Sequence, residues 1–177
     1  MPAAGVLLED LVSEIGDANI VGSESGPFLL QVPVNAEEEA GLEDGSTLTV
    51  RRSNVLGAGR SRHFEGTRLY ALSSREEGLR VGRGSECEVI LEESSASRFH
   101  ARLWVDKDGD CRLLDHDSQN GTWIGESELP PGLVREVPIG ASVRFGRSLC
   151  MVLDWNLLSH LLTMVRDRTG KEIVQAA

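Results

Sequence analysis

From Thr67 to Leu153 the chain is a succession of short apolar runs broken at close intervals by turn residues. The runs predict strands over Thr67–Leu72, Leu79–Gly82, Glu88–Leu91, His100–Val105, Cys111–Asp115, Thr122–Ile124, Val134–Val137, Ser142–Phe145 and Leu149–Leu153. Ser73-Ser74, Gly84-Ser85, Asp108-Gly109, Asn120-Gly121, Pro130-Pro131-Gly132 and Gly146 separate them. Many short strands with regular turns predict an all-β sandwich. No helix-length stretch interrupts them, which argues against a parallel α/β sheet.

Two flanking stretches follow a helical period instead. Leu8, Leu11, Val12 and Ile15 make one apolar stripe, with Gly16 as its stop. Leu158, Leu161, Leu162 and Val165 repeat the same spacing after the last strand. Asp154 is placed to cap that second helix, and Arg166, Arg168 and Gly170 suit its end. Both stripes read as faces that pack on the sandwich, with docking of a partner as the alternative. Phe28–Val34, interrupted by Pro33, and Leu48–Arg52, after Glu43-Asp44-Gly45, read as two further strands. One helix and two strands predict a small appended unit over residues 1–53, joined by a linker over 54–63 that holds Gly57 and Gly59. The sandwich then runs over 64–153, the C-terminal helix over 154–170 and a tail over 171–177.

Composition narrows the class. Hydrophobic content of 40% argues against a disordered chain, and a core of ordinary size needs neither disulfides nor metal. No apolar run approaches the roughly 20 residues of a membrane span, and no basic stretch precedes Val6–Leu8 as in a signal peptide. The expected location is the cytoplasm, and the composition has a bacterial cast. Cys87, Cys111 and Cys150 lie in strand-like stretches without CxxC spacing, so they read as buried thiols. The net charge of −10 is uneven: residues 1–50 hold ten acids and no Lys or Arg, and the remainder is neutral. Without a basic excess, nucleic acid is not an expected partner. Arg51, Arg52, Arg60, Arg62 and Arg68 read as a solvated stretch at the boundary.

The residues that carry chemistry fall at strand ends. Gly82-Arg83 follows one strand, Ser97-Arg98-Phe99-His100 precedes another, and Asp115-His116-Asp117-Ser118-Gln119-Asn120-Gly121-Thr122 joins two more. Loops on a rigid sandwich commonly hold binding residues. A phosphate dianion calls for a planar cation, a short hydroxyl donor with loop N–H groups, and an amide to fix the attached main chain. Arg83, Ser97 and Asn120 supply these, and Arg98 can add a second cation.

In order and spacing, Gly82-Arg83, Ser97-x-x-His100 and Asp115…Ser118-x-Asn120-Gly121-Thr122 resemble the forkhead-associated (FHA) domain. Ile139-Gly140-Ala141-Ser142-Val143-Arg144-Phe145-Gly146 is similar to that family's penultimate-strand pattern. The resemblance covers about Phe64 to Leu153. It implies a sandwich of two twisted, antiparallel-rich sheets that binds a phosphothreonine peptide at one end, in Ser/Thr-kinase signalling. It implies phosphate contacts from Arg83 and Ser97, a main-chain contact from Asn120, and a peptide-facing rim that includes Arg98 and Gln119. Gly82, His100, Gly121 and Thr122 are implied as structural support. The implied partner is a phosphothreonine protein, such as a Ser/Thr kinase or its substrate, with neither nucleic acid nor membrane involved. Gln119 departs from the small hydroxyl residue common there.

Other readings weigh less. Ser97 and His100 lack a nucleophile elbow, so no catalysis is expected. Cys87, Cys111, His100 and His116 match no zinc spacing, and no cofactor is expected. Asn120-Gly121-Thr122 reads as a chance sequon. Trp104, Trp123 and Trp155 suit sheet packing better than an aromatic cage. A phospho-independent scaffold or input domain is the alternative function. Thr47 and Thr49, beside acids, are candidates for an internal phosphorylated ligand.

Overall fold

The computed structural model describes residues 5–8, 26–33 and 66–164. Twelve strands are present there: β1 Val6–Leu7, β2 Phe28–Val32, β3 Arg68–Ala71, β4 Leu79–Gly82, β5 Val89–Ile90, β6 Ala101–Val105, β7 Cys111–Asp115, β8 Thr122–Ile124, β9 Ser127–Leu129, β10 Val134–Val137, β11 Ser142–Phe145 and β12 Ser148–Leu153. Helix α1 covers residues 155–164. Leu11, Val12, Ile15, Thr47, Thr49, the expected strand Leu48–Arg52, the linker over 54–63 and Val165 fall outside the described residues.

The strands form two sheets, ordered β1-β3-β2-β12-β11-β8-β9 and β10-β7-β6-β4-β5. Every pairing is antiparallel except β4 with β5, where Val81 faces Val89. Alternation explains the inner faces: Ala101, Leu103 and Val105 of β6 are buried, while Arg102 and Trp104 point outward. Between the sheets, Leu29, Leu79, Val81, Leu103, Leu113, Val143, Phe145 and Val152 belong to one core. The Tyr70 hydroxyl crosses that core and donates to the Ile90 carbonyl at 2.6 Å, tying short β5 to the other sheet.

A second core lies on the outer face of the larger sheet. Phe28, Leu30, Leu69 and Leu153 meet Leu158, Leu161 and Leu162 of α1, with Leu8 among them. The C-terminal stripe therefore packs on the sandwich. Asp154 caps it, its Oδ1 accepting from the Leu157 N–H at 2.8 Å. Asp154→Ala is expected to lower stability by about 1 kcal/mol in thermal melts, with the fold otherwise retained.

Two features depart from what the pattern suggests. Phe28–Val32, expected within a small unit over residues 1–53, is an inner strand between β3 and β12. Its run Phe-Leu-Leu-Gln-Val lacks alternation because both faces are covered, one by the inter-sheet core and the other by α1. β9 was not expected, since Ser127-Glu128-Leu129 holds one apolar residue. It arises from a two-residue hairpin after β8, with Gly125 at φ 60°.

Strand directions bring the start of the β4–β5 connection (83–84), the β5–β6 (91–100) and β7–β8 (116–121) connections and the β11–β12 turn (146–147) to one end of the sandwich. These include every loop singled out for chemistry.

Candidate functional site

The site is knit from its floor upward. At Gly82 the neighbouring loop passes so closely that a Cβ would lie 2.4 Å from the Arg98 carbonyl oxygen and 2.8 Å from that of Ser97. Glycine is required by this approach. It lets the Arg83 N–H donate to the Ser97 carbonyl at 3.0 Å and the Gly84 N–H to the Arg98 carbonyl at 2.9 Å. The Arg83 side chain stands exposed just beyond. Below it, Glu88 accepts from Arg80 Nε at 3.2 Å and from a terminal Arg80 nitrogen at 3.1 Å. This hydrogen bonding from Arg80 is the main reason the Glu88 carboxyl is held down at about 2.

His100 is the buried pin between two loops. Its Nδ1 accepts from the Ser97 N–H at 3.0 Å, and its Nε2 donates to the Gly121 carbonyl at 3.0 Å. These bonds demand the neutral ring with its proton on Nε2. The ring packs edge-on to Phe145, with centroids 5.6 Å apart. Burial is the main cause lowering its pKa, opposed by the Gly121 bond and by Asp115.

The β7–β8 loop is folded around Asp115, which is fully buried. Its carboxylate accepts from the Ser118 N–H at 2.8 Å, from the Ser118 hydroxyl at 2.6 Å, and from the Thr122 hydroxyl. Gly121 takes φ 72° in the turn, and a Cβ there would strike Trp123. This loop meets the Ser97 loop twice. The Gln119 N–H donates to Ser97 Oγ at 3.1 Å, and Asn120 Nδ2 donates to the Ser95 carbonyl at 2.8 Å.

The structure thus brings the Arg83, Ser97 and Asn120 loops into direct contact. Arg83, Arg98, Gln119 and Asn120 are exposed and Ser97 is half-buried, while Gly82, His100 and Thr122 lie beneath, buried. Sequence reasoning did not single out three contributors. Asp115 sat inside the quoted run, but its carboxylate's role as loop scaffold emerges only from the contacts. Ser95 and the β11–β12 turn at Gly146 join the site through bonds between residues far apart in the chain. The remaining chemistry-bearing groups serve packing: Cys87, in the β4–β5 connection, donates through Sγ to the Arg98 carbonyl at 3.2 Å. Cys87, Cys111 and Cys150 are buried thiols, and burial pushes Cys111 up to about 11 and Cys150 to about 12. His116 stacks edge-on against Phe99, centroids 4.2 Å apart. Trp104 covers Gly78, Trp123 lies under Arg144 at 3.7 Å, and Trp155 tilts against Phe28 at 6.4 Å, so each packs against a neighbour. Among the described residues no cluster of three His, Cys, Asp or Glu could hold a metal ion. No helix among them is long and apolar enough to cross a membrane.

The His100 arrangement has a pH signature. The folded-state pKa lies below the ordinary 6.5, so the unfolded chain binds the proton first as pH falls. The stabilisation is full above about pH 6.5 and is lost as pH falls towards and through the lowered folded value. Thermal melts from pH 7.5 to 5 should show a decline that His100→Gln abolishes.

The family comparisons agree with this architecture. The sequence model of the FHA domain matches residues 79–146. Human kanadaptin is 39% identical over 110 residues, covering 56% of this chain and 13% of that protein. FHA domain-containing protein FhaB of Mycobacterium tuberculosis is 30% identical over 105 residues, covering 55% of this chain and 66% of that one. The chain therefore spans only a small part of the human relative and less than two thirds of the mycobacterial one. The relatives also include plant proteins, so they do not point to a bacterial source. The FHA domain of the CT664 protein from Chlamydia trachomatis superposes with a TM-score of 0.50 at 19% identity, over 73% of this chain and 99% of that one. Residues 79–146 thus carry the FHA-domain sequence pattern, and the two sheets in this order form an FHA-like β-sandwich.

Proposed function

We propose that this end of the sandwich captures a phosphothreonine on a partner protein. The observation that supports it most is the joining of three loops by the Arg83–Ser97, Gln119–Ser97 and Asn120–Ser95 hydrogen bonds. The exposed Arg83 is bonded through its N–H to the carbonyl of Ser97, whose hydroxyl oxygen already accepts from Gln119 N–H. The hydroxyl proton is then available to a phosphate oxygen, beside the two-pronged Arg83 cation. Asn120 uses one N–H on Ser95 and keeps a second N–H and Oδ1 for the ligand's main chain. Arg98 and Gln119 form the rim that meets the flanking peptide. Gly82, His100, Gly121 and Thr122 hold the loops in place.

The role that follows is non-catalytic recruitment in Ser/Thr-kinase signalling, with a kinase or its substrate as the phosphorylated partner. Calorimetry with one peptide in its phosphothreonine, phosphoserine and unphosphorylated forms tests the reading. Binding should be strongest for phosphothreonine and undetectable without phosphate. Equal binding of phosphorylated and unphosphorylated peptides would instead support a phospho-independent scaffold.

A further inference from the structure

Ser95, two residues before the candidate phosphate-contacting Ser97, is the point where three loops of the site are fastened. Its N–H donates to both oxygens of the Glu93 carboxylate, at 3.1 and 3.2 Å, and its hydroxyl donates to the same carboxylate. The Ser95 hydroxyl oxygen also accepts from the Arg147 N–H in the β11–β12 turn at 2.7 Å. Its carbonyl accepts from Asn120 Nδ2 at 2.8 Å. Gly146 presses on the residue from above, since a Cβ there would lie 2.7 Å from Ser95 Oγ and 2.8 Å from its carbonyl oxygen. Gly146 N–H in turn donates at 2.9 Å to the carbonyl of Gly121, the residue after Asn120.

We infer that Ser95 is a positioning residue for the ligand-holding carboxamide of Asn120, with Glu93 and the Gly146-Arg147 turn fixing Ser95 itself. The inference rests on the reading that Asn120 holds the main chain of a phosphothreonine peptide. Asn120 is exposed, and an exposed amide samples several rotamers unless something holds it. The Ser95 carbonyl supplies that hold. The carbonyl is in turn fixed by bonds to the residue's N–H and hydroxyl. Ordering Asn120 before the ligand arrives removes an entropic cost of binding. The β11–β12 turn, which carries none of the family's binding motifs, thereby becomes part of the recognition device.

The test uses a phosphothreonine peptide, the tightest from a library with randomised flanks, and a double-mutant cycle. Ser95→Ala keeps the carbonyl and removes the hydroxyl that anchors it. It should weaken binding about fivefold, the scale of one hydrogen bond. In an Asn120→Ala background the further effect of Ser95→Ala should vanish, whereas in an Arg98→Ala background it should persist in full. Gly146→Ala, which crowds Ser95 from the other side, should weaken binding like Ser95→Ala. In the free protein, the Asn120 side-chain amide signal of a nitrogen–proton correlation spectrum should shift in Ser95→Ala. Equal losses in the Asn120→Ala and Arg98→Ala backgrounds, an unchanged affinity, or an unmoved Asn120 signal would overturn the inference. If the unmutated protein binds the unphosphorylated peptide equally well, the phosphothreonine reading fails and takes this inference with it. An unmoved amide signal, with phosphate dependence intact, overturns the positioning role alone.

Discussion

Replacing Arg83 by alanine is expected to weaken phosphothreonine-peptide binding by at least about 2 kcal/mol, roughly thirtyfold, while leaving the melting temperature unchanged. The two halves of this expectation have separate causes. The guanidinium would give a dianion two parallel charge-assisted hydrogen bonds, which no neighbouring neutral group can replace. In the free protein the side chain is exposed, and the loop is fastened instead by the Arg83 N–H to Ser97 and by Gly84 to Arg98. Alanine keeps both backbone bonds. Arg83→Lys should recover only part of the affinity, because a point charge on a flexible stem cannot present a fork. Calorimetry at matched ionic strength, alongside a thermal melt, reads both halves. A variant that binds as well as the parent would remove Arg83 from the site.

His100→Ala should behave differently, lowering stability by about 3 kcal/mol and also weakening peptide binding. The imidazole is fully buried and joins Ser97 N–H to Gly121 O. Truncation leaves the Ser97 N–H without its acceptor and opens a void against Phe145. Gly121 O keeps the Gly146 N–H, so the β7–β8 turn is loosened and not freed. Affinity falls because the hydroxyl of Ser97 and the amide of Asn120 sit on the two loops that His100 pins together. Denaturant unfolding gives the stability loss, and peptide titration at a temperature where the variant remains folded gives the binding loss. An unaltered unfolding free energy would contradict the bridging role.

Much of this architecture was legible because strand and turn signals are local. The alternation in Ala101–Val105 and the Asn120-Gly121 turn each declare themselves within a few residues, and so does the Asp154 cap. The place of Phe28–Val32 in the larger sheet was not legible. Pairing with β12 is a contact between residues more than a hundred positions apart, and a strand covered on both faces shows no alternation to orient it. Ser127–Leu129 was hidden because a strand can be held by backbone bonds to β8 with one buried side chain. For the site, residue types and spacing marked Arg83, Ser97 and Asn120. Asp115 lay within the quoted motif but its carboxylate's role as a loop scaffold was not legible, and Ser95 was not marked, since a half-buried serine looks in sequence like an ordinary loop polar residue.

The central claim is that the Arg83, Ser97 and Asn120 loops together bind one phosphothreonine. The most direct measurement is amide chemical-shift mapping during titration with a phosphothreonine peptide and its unphosphorylated twin. The account predicts large shifts at Arg83, Ser97, Gln119 and Asn120 with the phosphorylated peptide and none there with the twin. Shifts confined to the opposite end of the sandwich or to α1, or equal shifts with both peptides, would contradict it.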